Sequence, residues 1–392
     1  MHAFKKRALR PDAVDVAAGV RIMLAAATAA AAAAAAAVAA DNADAAVRAT
    51  PFGPVHARCV RGLASGSLVE ELADGGARVR HAGGAVEFVA PCAHAPRASR
   101  SAVAAARGAA RSGPPSPGAD SPCRYDPTKC PPLWEGWPEH WWFGLSWAPF
   151  TRPPLPKNTT IFSLNASWVV PALPADVTGN ASDPWFESPP TESWWNGLQG
   201  GAVLQPVMEL NGLMPGAYDA VSWQCCSAGM AWYSFPLPAL PGEAIDGTIV
   251  RVSGAEVGAE GSLYVYETRT AVRSAARGEH ATVLYSAMTR DGDPNWAPTW
   301  AEIVQESYFV TSCTRLPCGA GTFTDVSVST APAGLPFAEA AAQAAVVASV
   351  PWSPAYEIER AAAPPSPVCG GAASFDNATA TAVVSFDCAA QH

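Results

Sequence analysis

Ile161-Phe162-Ser163-Leu164-Asn165-Ala166-Ser167-Trp168-Val169-Val170 alternates in polarity with a period of two. Phe162, Leu164, Ala166, Trp168 and Val170 fall on one face of an extended chain, and Ser163, Asn165 and Ser167 on the other. That pattern specifies a strand with one buried face. Further strands are predicted at 202–210, 230–235, 247–253, 261–267, 281–287, 301–310, 322–329 and 380–387, separated by Pro and Gly turns. So many short strands predict an all-β domain of two packed antiparallel sheets. The alanine-rich stretch 338–349 is the one predicted helix.

The chain has 392 residues, 49% hydrophobic and 15% charged, which excludes global disorder. A net charge of −9 and a pI near 5.3 argue against nucleic acid as a partner. Residues 1–40 read as a targeting segment. Lys5, Lys6, Arg7, Arg10 and Arg21 precede an uncharged, mostly alanine run from Ile22 to Ala40, with small residues at Val38-Ala39-Ala40 for a signal peptidase. The segment is a signal peptide, or a signal anchor if it stays uncleaved, since its length approaches a membrane span. A membrane association is expected in the second case alone. Secretion, or residence in the lumen of the secretory pathway, is expected in the first case, and a signal-anchored membrane form in the second.

Four N-x-Ser/Thr sequons, at Asn158, Asn165, Asn180 and Asn377, and an even count of ten cysteines agree with that route. Cys59/Cys92, Cys123/Cys130, Cys313/Cys318 and Cys369/Cys388 are spaced for local disulfides. Cys225 and Cys226 are adjacent and are expected to take two different partners. Zinc-finger spacings are absent from the sequence, and neither a metal nor a cofactor is expected.

Composition divides the chain further. Residues 41–95 form a small module, a candidate propeptide, with a predicted hairpin of Ala77–Arg80 and Ala85–Val89 about Gly83-Gly84. Residues 96–120 form a Pro/Ala/Ser-rich linker. All fourteen tryptophans follow it, so the aromatic core belongs to 121–392.

Histidine is scarce in this region: His140, His280 and the terminal His392. A Ser-His-Asp or Cys-His set needs a core histidine, and neither a phosphate loop nor an H-E-x-x-H occurs. Two strands offer a different chemistry. In 202–210, alternation puts Val203, Gln205, Val207 and Glu209 on one face; in 301–310 it groups Glu302, Val304, Glu306, Tyr308 and Val310. With the two strands as neighbours, a carboxylate faces an amide. A carboxylate serves as general base toward water, and a glutamine N–H stabilises an oxyanion. The competing reading makes Glu302 and Glu306 solvated residues on an amphipathic strand.

These segments carry a resemblance to the glutamic peptidases, the eqolisin family of secreted acid proteases. That family's S-x-W-x-G-I-D-G segment leading into I-L-Q-T-G-V-D resembles Ser193-Trp194-Trp195-Asn196-Gly197-Leu198-Gln199-Gly200 leading into Val203-Leu204-Gln205-Pro206-Val207-Met208-Glu209. Its A-W-Y-E-W strand is similar to Ala231-Trp232-Tyr233-Ser234-Phe235, its G-D-x-I to Gly242-Glu243-Ala244-Ile245, and its A-E-W-I-V-E to Ala301-Glu302-Ile303-Val304-Gln305-Glu306. An opening E-F-T-V-P resembles Ser167-Trp168-Val169-Val170-Pro171. The order holds across roughly 160–390.

The resemblance implies a concanavalin A-like antiparallel β-sandwich of the jelly-roll type. It implies an acid endopeptidase without a cofactor, acting on peptide or protein substrates. Glu306 would activate water and later protonate the leaving amine, and Gln205 would stabilise the oxyanion. Trp195, Glu209, Trp232 and Glu302 would lie on the substrate side. Two departures stand out. Gln199 replaces the family's aspartate, and Pro206, which has no N–H, follows Gln205 and predicts an edge strand or a bulge there.

Two alternatives use the same architecture. A non-catalytic, lectin-like sandwich would bind glycans through tryptophans such as Trp134, Trp137, Trp141, Trp142 and Trp147. A glycoside hydrolase would use Glu302 and Glu306, about 13 Å apart along one strand, although laminarinase-like enzymes carry an aspartate where this chain has Val304.

Overall fold

The computed structural model describes residues 48–51, 53–72, 74–93, 140–147, 159–174, 191–200, 202–225, 229–253, 261–288, 297–298, 300–308, 319–359 and 372–386. The targeting segment, the linker, Asn158 and Asn180 lie outside them. Strands are numbered β1–β22 in chain order. The run 161–169 falls in β8 (Thr159–Val169), with Val170 just past its end, and its polarity works as written: Phe162, Leu164, Ala166, Trp168 and Val170 are buried, and Ser163, Asn165 and Ser167 are half-exposed.

The fold is an all-β sandwich. One sheet, here the site sheet, runs β20 (Ser353–Glu359), β7 (His140–Trp147), β17 (Trp300–Tyr308), β9 (Thr191–Gln199), β10 (Val203–Leu210), β11 (Tyr218–Cys225), β12 (Ala231–Ser234) and β3 (Val60–Leu63), with β13 (Leu237–Ala239) also on β11. The back sheet runs β21 (Ala372–Asp376), β22 (Thr381–Phe386), β18 (Gly319–Pro332), β8, β14 (Ala244–Val252), β15 (Val265–Ser274), β16 (Gly278–Ala287), β4 (Ser67–Glu71), β5 (Ala77–Arg80) and β6 (Val86–Val89). Pairing is antiparallel except for β12 with β3 and β16 with β4.

Side chains from both inner faces build the core. Trp168, Ile245 and Phe323 of the back sheet meet Trp194, Met208 and Leu210 of the site sheet. Trp168 and Phe323 have ring centroids 5.2 Å apart. Each such side chain contributes roughly 1.5–3 kcal/mol by leaving water. Polar bridges fix the relative position of the sheets: Asn196 Nδ2 donates to the Gly247 carbonyl at 3.2 Å, and Thr270 Oγ1 donates to the Val221 carbonyl at 2.8 Å.

Residues 48–93 are built into both sheets through β3 and β4–β6, and a Cys59–Cys92 disulfide closes them. The hairpin about Gly84 forms as its alternation predicts, with Gly84 at φ 85°, a conformation natural to glycine. Before it, β1 (Arg48–Thr50) and β2 (Gly53–Val55) make a separate two-stranded hairpin.

Two expectations need correction. The predicted helix ends early: α1 covers Phe337–Gln343, and β19 (Ala345–Val346) then pairs with β18. The valines 346 and 347 favour extended backbone. Pro206 sits neither on an edge nor at a bulge. β10 lies between β9 and β11, and its register on both is unshifted. Ser222, opposite Pro206, sends its N–H away from β10 to Ser234 Oγ at 2.9 Å. Pro206 N therefore points toward β9, where the ladder skips residues 205 and 206.

Candidate active site

Three rows of residues cross β11, β10, β9 and β17 on the outer face of the site sheet, because directly opposed residues share a face. Trp223, Gln205, Gly197 and Glu302 form the first. Val221, Val207, Trp195 and Val304 form the second, and Asp219, Glu209, Ser193 and Glu306 the third. The amide and the carboxylates thus share one face, as alternation predicts. They are not on neighbouring strands: β9 intervenes. Gln205 and Glu306 are two strand spacings and four residues apart, roughly 16 Å between Cα atoms on an ideal sheet.

Trp195 occupies the centre of that diagonal. Its indole N–H donates to Glu306 Oε2 at 3.1 Å. The opposite edge of the ring lies over Gly197: a Cβ there would come within 2.6 Å of Cζ3 and 2.9 Å of Cε3. The missing side chain makes the seat for the indole, between Gln205 and Glu302. The sequence's W-N-G spacing therefore has a geometric meaning.

Gln205, Trp195 and Glu306 are fully buried and Glu302 is 2% exposed, so the solvated reading of the glutamates does not hold. Gln205 Nε2 donates to the backbone carbonyl of Pro51, in the turn of hairpin β1–β2. Its Oε1 is buried with no hydrogen-bond partner among the described residues.

Glu209 faces Asp219 across β10 and β11, and both are buried. Desolvation, then the neighbouring Glu209 carboxyl, hold the Asp219 carboxyl well above its usual range. The Met214 N–H donates to Asp219 Oδ2 at 3.0 Å and opposes that shift. On the inner face of β9, Glu192 accepts a hydrogen bond from Ser307, and burial pushes its carboxyl up to about 8.

Trp232 does not join this group. It lies on β12, opposite Gln224, with the Arg61 guanidinium 5.8 Å from its ring centre. By alternation it faces away from Trp223 and Gln205. Asp219, Ser193 and Pro51 were not anticipated from sequence. The pairing of β11 on β10 would have exposed Asp219; nothing in the sequence marks Pro51.

Among the described residues, no group of three or more His, Cys, Asp or Glu is placed to hold a metal. No helix among them is long and apolar enough to cross a membrane. Trp134 and Trp137, and the side chains of Trp141, Trp142 and Trp147, on which the glycan reading rests, lie outside the described residues. Asn165 is half-buried and donates to Ser327 Oγ at 3.2 Å; Asn377 lies on the exposed β21–β22 turn.

No family profile and no curated protein sequence matches the chain. Among solved structures, it is similar to scytalido-glutamic peptidase, crystallised with a transition-state analogue inhibitor. Identity is 14% over 64% of this chain and 99% of the other, with a TM-score of 0.36.

Proposed function

We propose that the chain is an acid endopeptidase of the glutamic type, with Glu306 as general base and Gln205 as oxyanion donor. One observation carries the reading. A buried carboxylate, held by an indole N–H, shares a sheet face with a buried glutamine amide that already grips a peptide carbonyl. The Trp195 hydrogen bond fixes the base, and the low dielectric of the site strengthens each charge interaction in it. Glu306 takes a proton from water as the oxygen adds to the peptide carbonyl carbon. The developing oxyanion accepts the Gln205 Nε2–H. Gln205 Oε1, an acceptor, helps hold the attacking water. Glu306 then passes its proton to the departing nitrogen, and the C–N bond breaks. A span as wide as that between Gln205 and Glu306 leaves room for a water and an extended peptide over Trp195.

The Cys59–Cys92 disulfide fits an oxidising compartment and supports a secreted or lumenal setting for this activity. The test is cleavage of a denatured protein by the full secreted chain across pH 2–7, beside Glu306→Gln and Gln205→Ala. Acid cleavage lost in both variants is expected. Unchanged cleavage by Glu306→Gln would sink the mechanism.

A further inference from the structure

Hairpin β1–β2 reaches over the face that carries Gln205, Trp195 and Glu306. We infer that it is an intramolecular inhibitor: an extended segment filling the substrate cleft, with the Pro51 carbonyl where a substrate's scissile carbonyl would bind. The inference rests on the peptidase reading for the identity of that cleft.

The contacts are specific. Gln205, the proposed oxyanion donor, spends its Nε2–H on the Pro51 carbonyl. Thr50 Oγ1 lies 3.2 Å from Cys225 Sγ; that cysteine is disulfide-bonded and has no thiol proton, so the hydroxyl donates. Val55 belongs to the same buried apolar cluster as Trp195, Val207, Trp223 and Val304. Thr50 and Val55 are 2% and 5% exposed, and Gln205, which holds the Pro51 carbonyl, is sealed completely.

The architecture separates a removable part from a permanent one. β1 and β2 pair with each other and with neither large sheet. Side-chain contacts and one covalent tether hold them. From β3 onward the chain is laddered into both sheets and locked by Cys59–Cys92. The boundary falls at the short 3-10 turn Ala57–Cys59, on which Arg58 is exposed. The inhibitor is thus residues 48–55, and 60–93 belong to the active protein. This is a smaller unit than the whole module 41–95.

The occupant describes the ligand class as well. The cleft takes an extended chain by its backbone carbonyl, beside a β-branched hydroxyl residue at Cys225 and an apolar one in the cluster that holds Trp195 and Trp223.

The experiment inserts a recognition sequence for a site-specific protease between His56 and Ala57 of the secreted chain, which is folded, oxidised and then cut. Cleavage of a denatured protein at pH 3–5 is compared before and after cutting, with circular dichroism to confirm an unchanged fold. A short tether holds an inhibitor at millimolar effective concentration, so release is expected to raise the rate about 100-fold or more. A synthetic peptide of residues 44–56 should restore inhibition. Equal rates before and after release would overturn the inference. If neither form cleaves, labelled 44–56 peptide is titrated onto the cut chain. Saturable binding upholds the occupied cleft and counts against the peptidase reading instead; no binding overturns the inference.

Discussion

Trp195 donates its indole N–H to Glu306 Oε2 at 3.1 Å while the far edge of the same ring covers Gly197, the residue opposite Gln205. One side chain therefore sets the position of the base and paves the floor between the two catalytic candidates. Trp195→Phe keeps most of the apolar ring and deletes the donor. A hydrogen bond to a charged group contributes about 1.5–3 kcal/mol, so kcat for peptide cleavage should fall about 10- to 150-fold. KM should change little, since the indole N–H binds the base and not the peptide. Wild-type kcat in a folded Trp195→Phe protein would reduce Trp195 to packing.

Gly197 tests the same arrangement from below. Gly197→Ala would drive a methyl into the indole, at 2.6 Å from Cζ3. Overpacking of this kind costs about 1–3 kcal/mol, to be read as a lower urea midpoint with an unchanged slope. Pairing the change with Trp195→Ala, which empties the space, should recover part of the loss, because contacting residues are non-additive. Strict additivity would place the ring elsewhere.

The sequence showed the sandwich more readily than the site, for a physical reason. β8 and β14 have one dry and one wet face, so their alternation is visible in the letters. β9, β10 and β11 are buried on both faces, by the back sheet within and by residues 48–93 without. Apolar, aromatic and polar residues then follow one another without a period, and β11 was not foreseen. Gln205 and Glu306 stood out because each lies in a short extended run whose alternation groups it with a second acid, Glu209 and Glu302 respectively. Their separation by β9 depends on sheet order, which no local pattern encodes. The contact of Pro51 with Gln205 joins residues 154 apart and leaves no trace in either segment.

The Cys59–Cys92 bridge closes a separation of 33 residues around the segment that enters both sheets. Chain entropy predicts a loss of about 3–4 kcal/mol when Cys59→Ser and Cys92→Ser are combined. Hydrogen exchange should locate the loss in residues 60–89 and spare β14–β16. A uniform loss of protection would mean that the whole sandwich unfolds with this segment.

Buried carboxyls set how the fold responds to pH. Glu192 has a usual value of 4.5 and is pushed up to about 8 in the fold, chiefly by desolvation; Ser307 and Gln305, which face it, work against the shift. Between these values the folded protein keeps a proton that the unfolded chain has released. Stability therefore falls as pH rises through that window, by about 1.4 kcal/mol per pH unit for one such proton. It levels off below the unfolded value and above the folded one. Asp219, raised beside Glu209, acts with the same sign from its usual 3.8 upward. Urea midpoints measured from pH 3 to 9 should therefore be highest at the acid end and decline toward neutrality. Glu192→Gln keeps an acceptor for the Ser307 hydroxyl and cannot ionise, so it should flatten the decline between pH 4.5 and 8. An unaltered slope in Glu192→Gln would assign the proton to the Glu209–Asp219 pair, and Asp219→Asn would then be the variant that removes it.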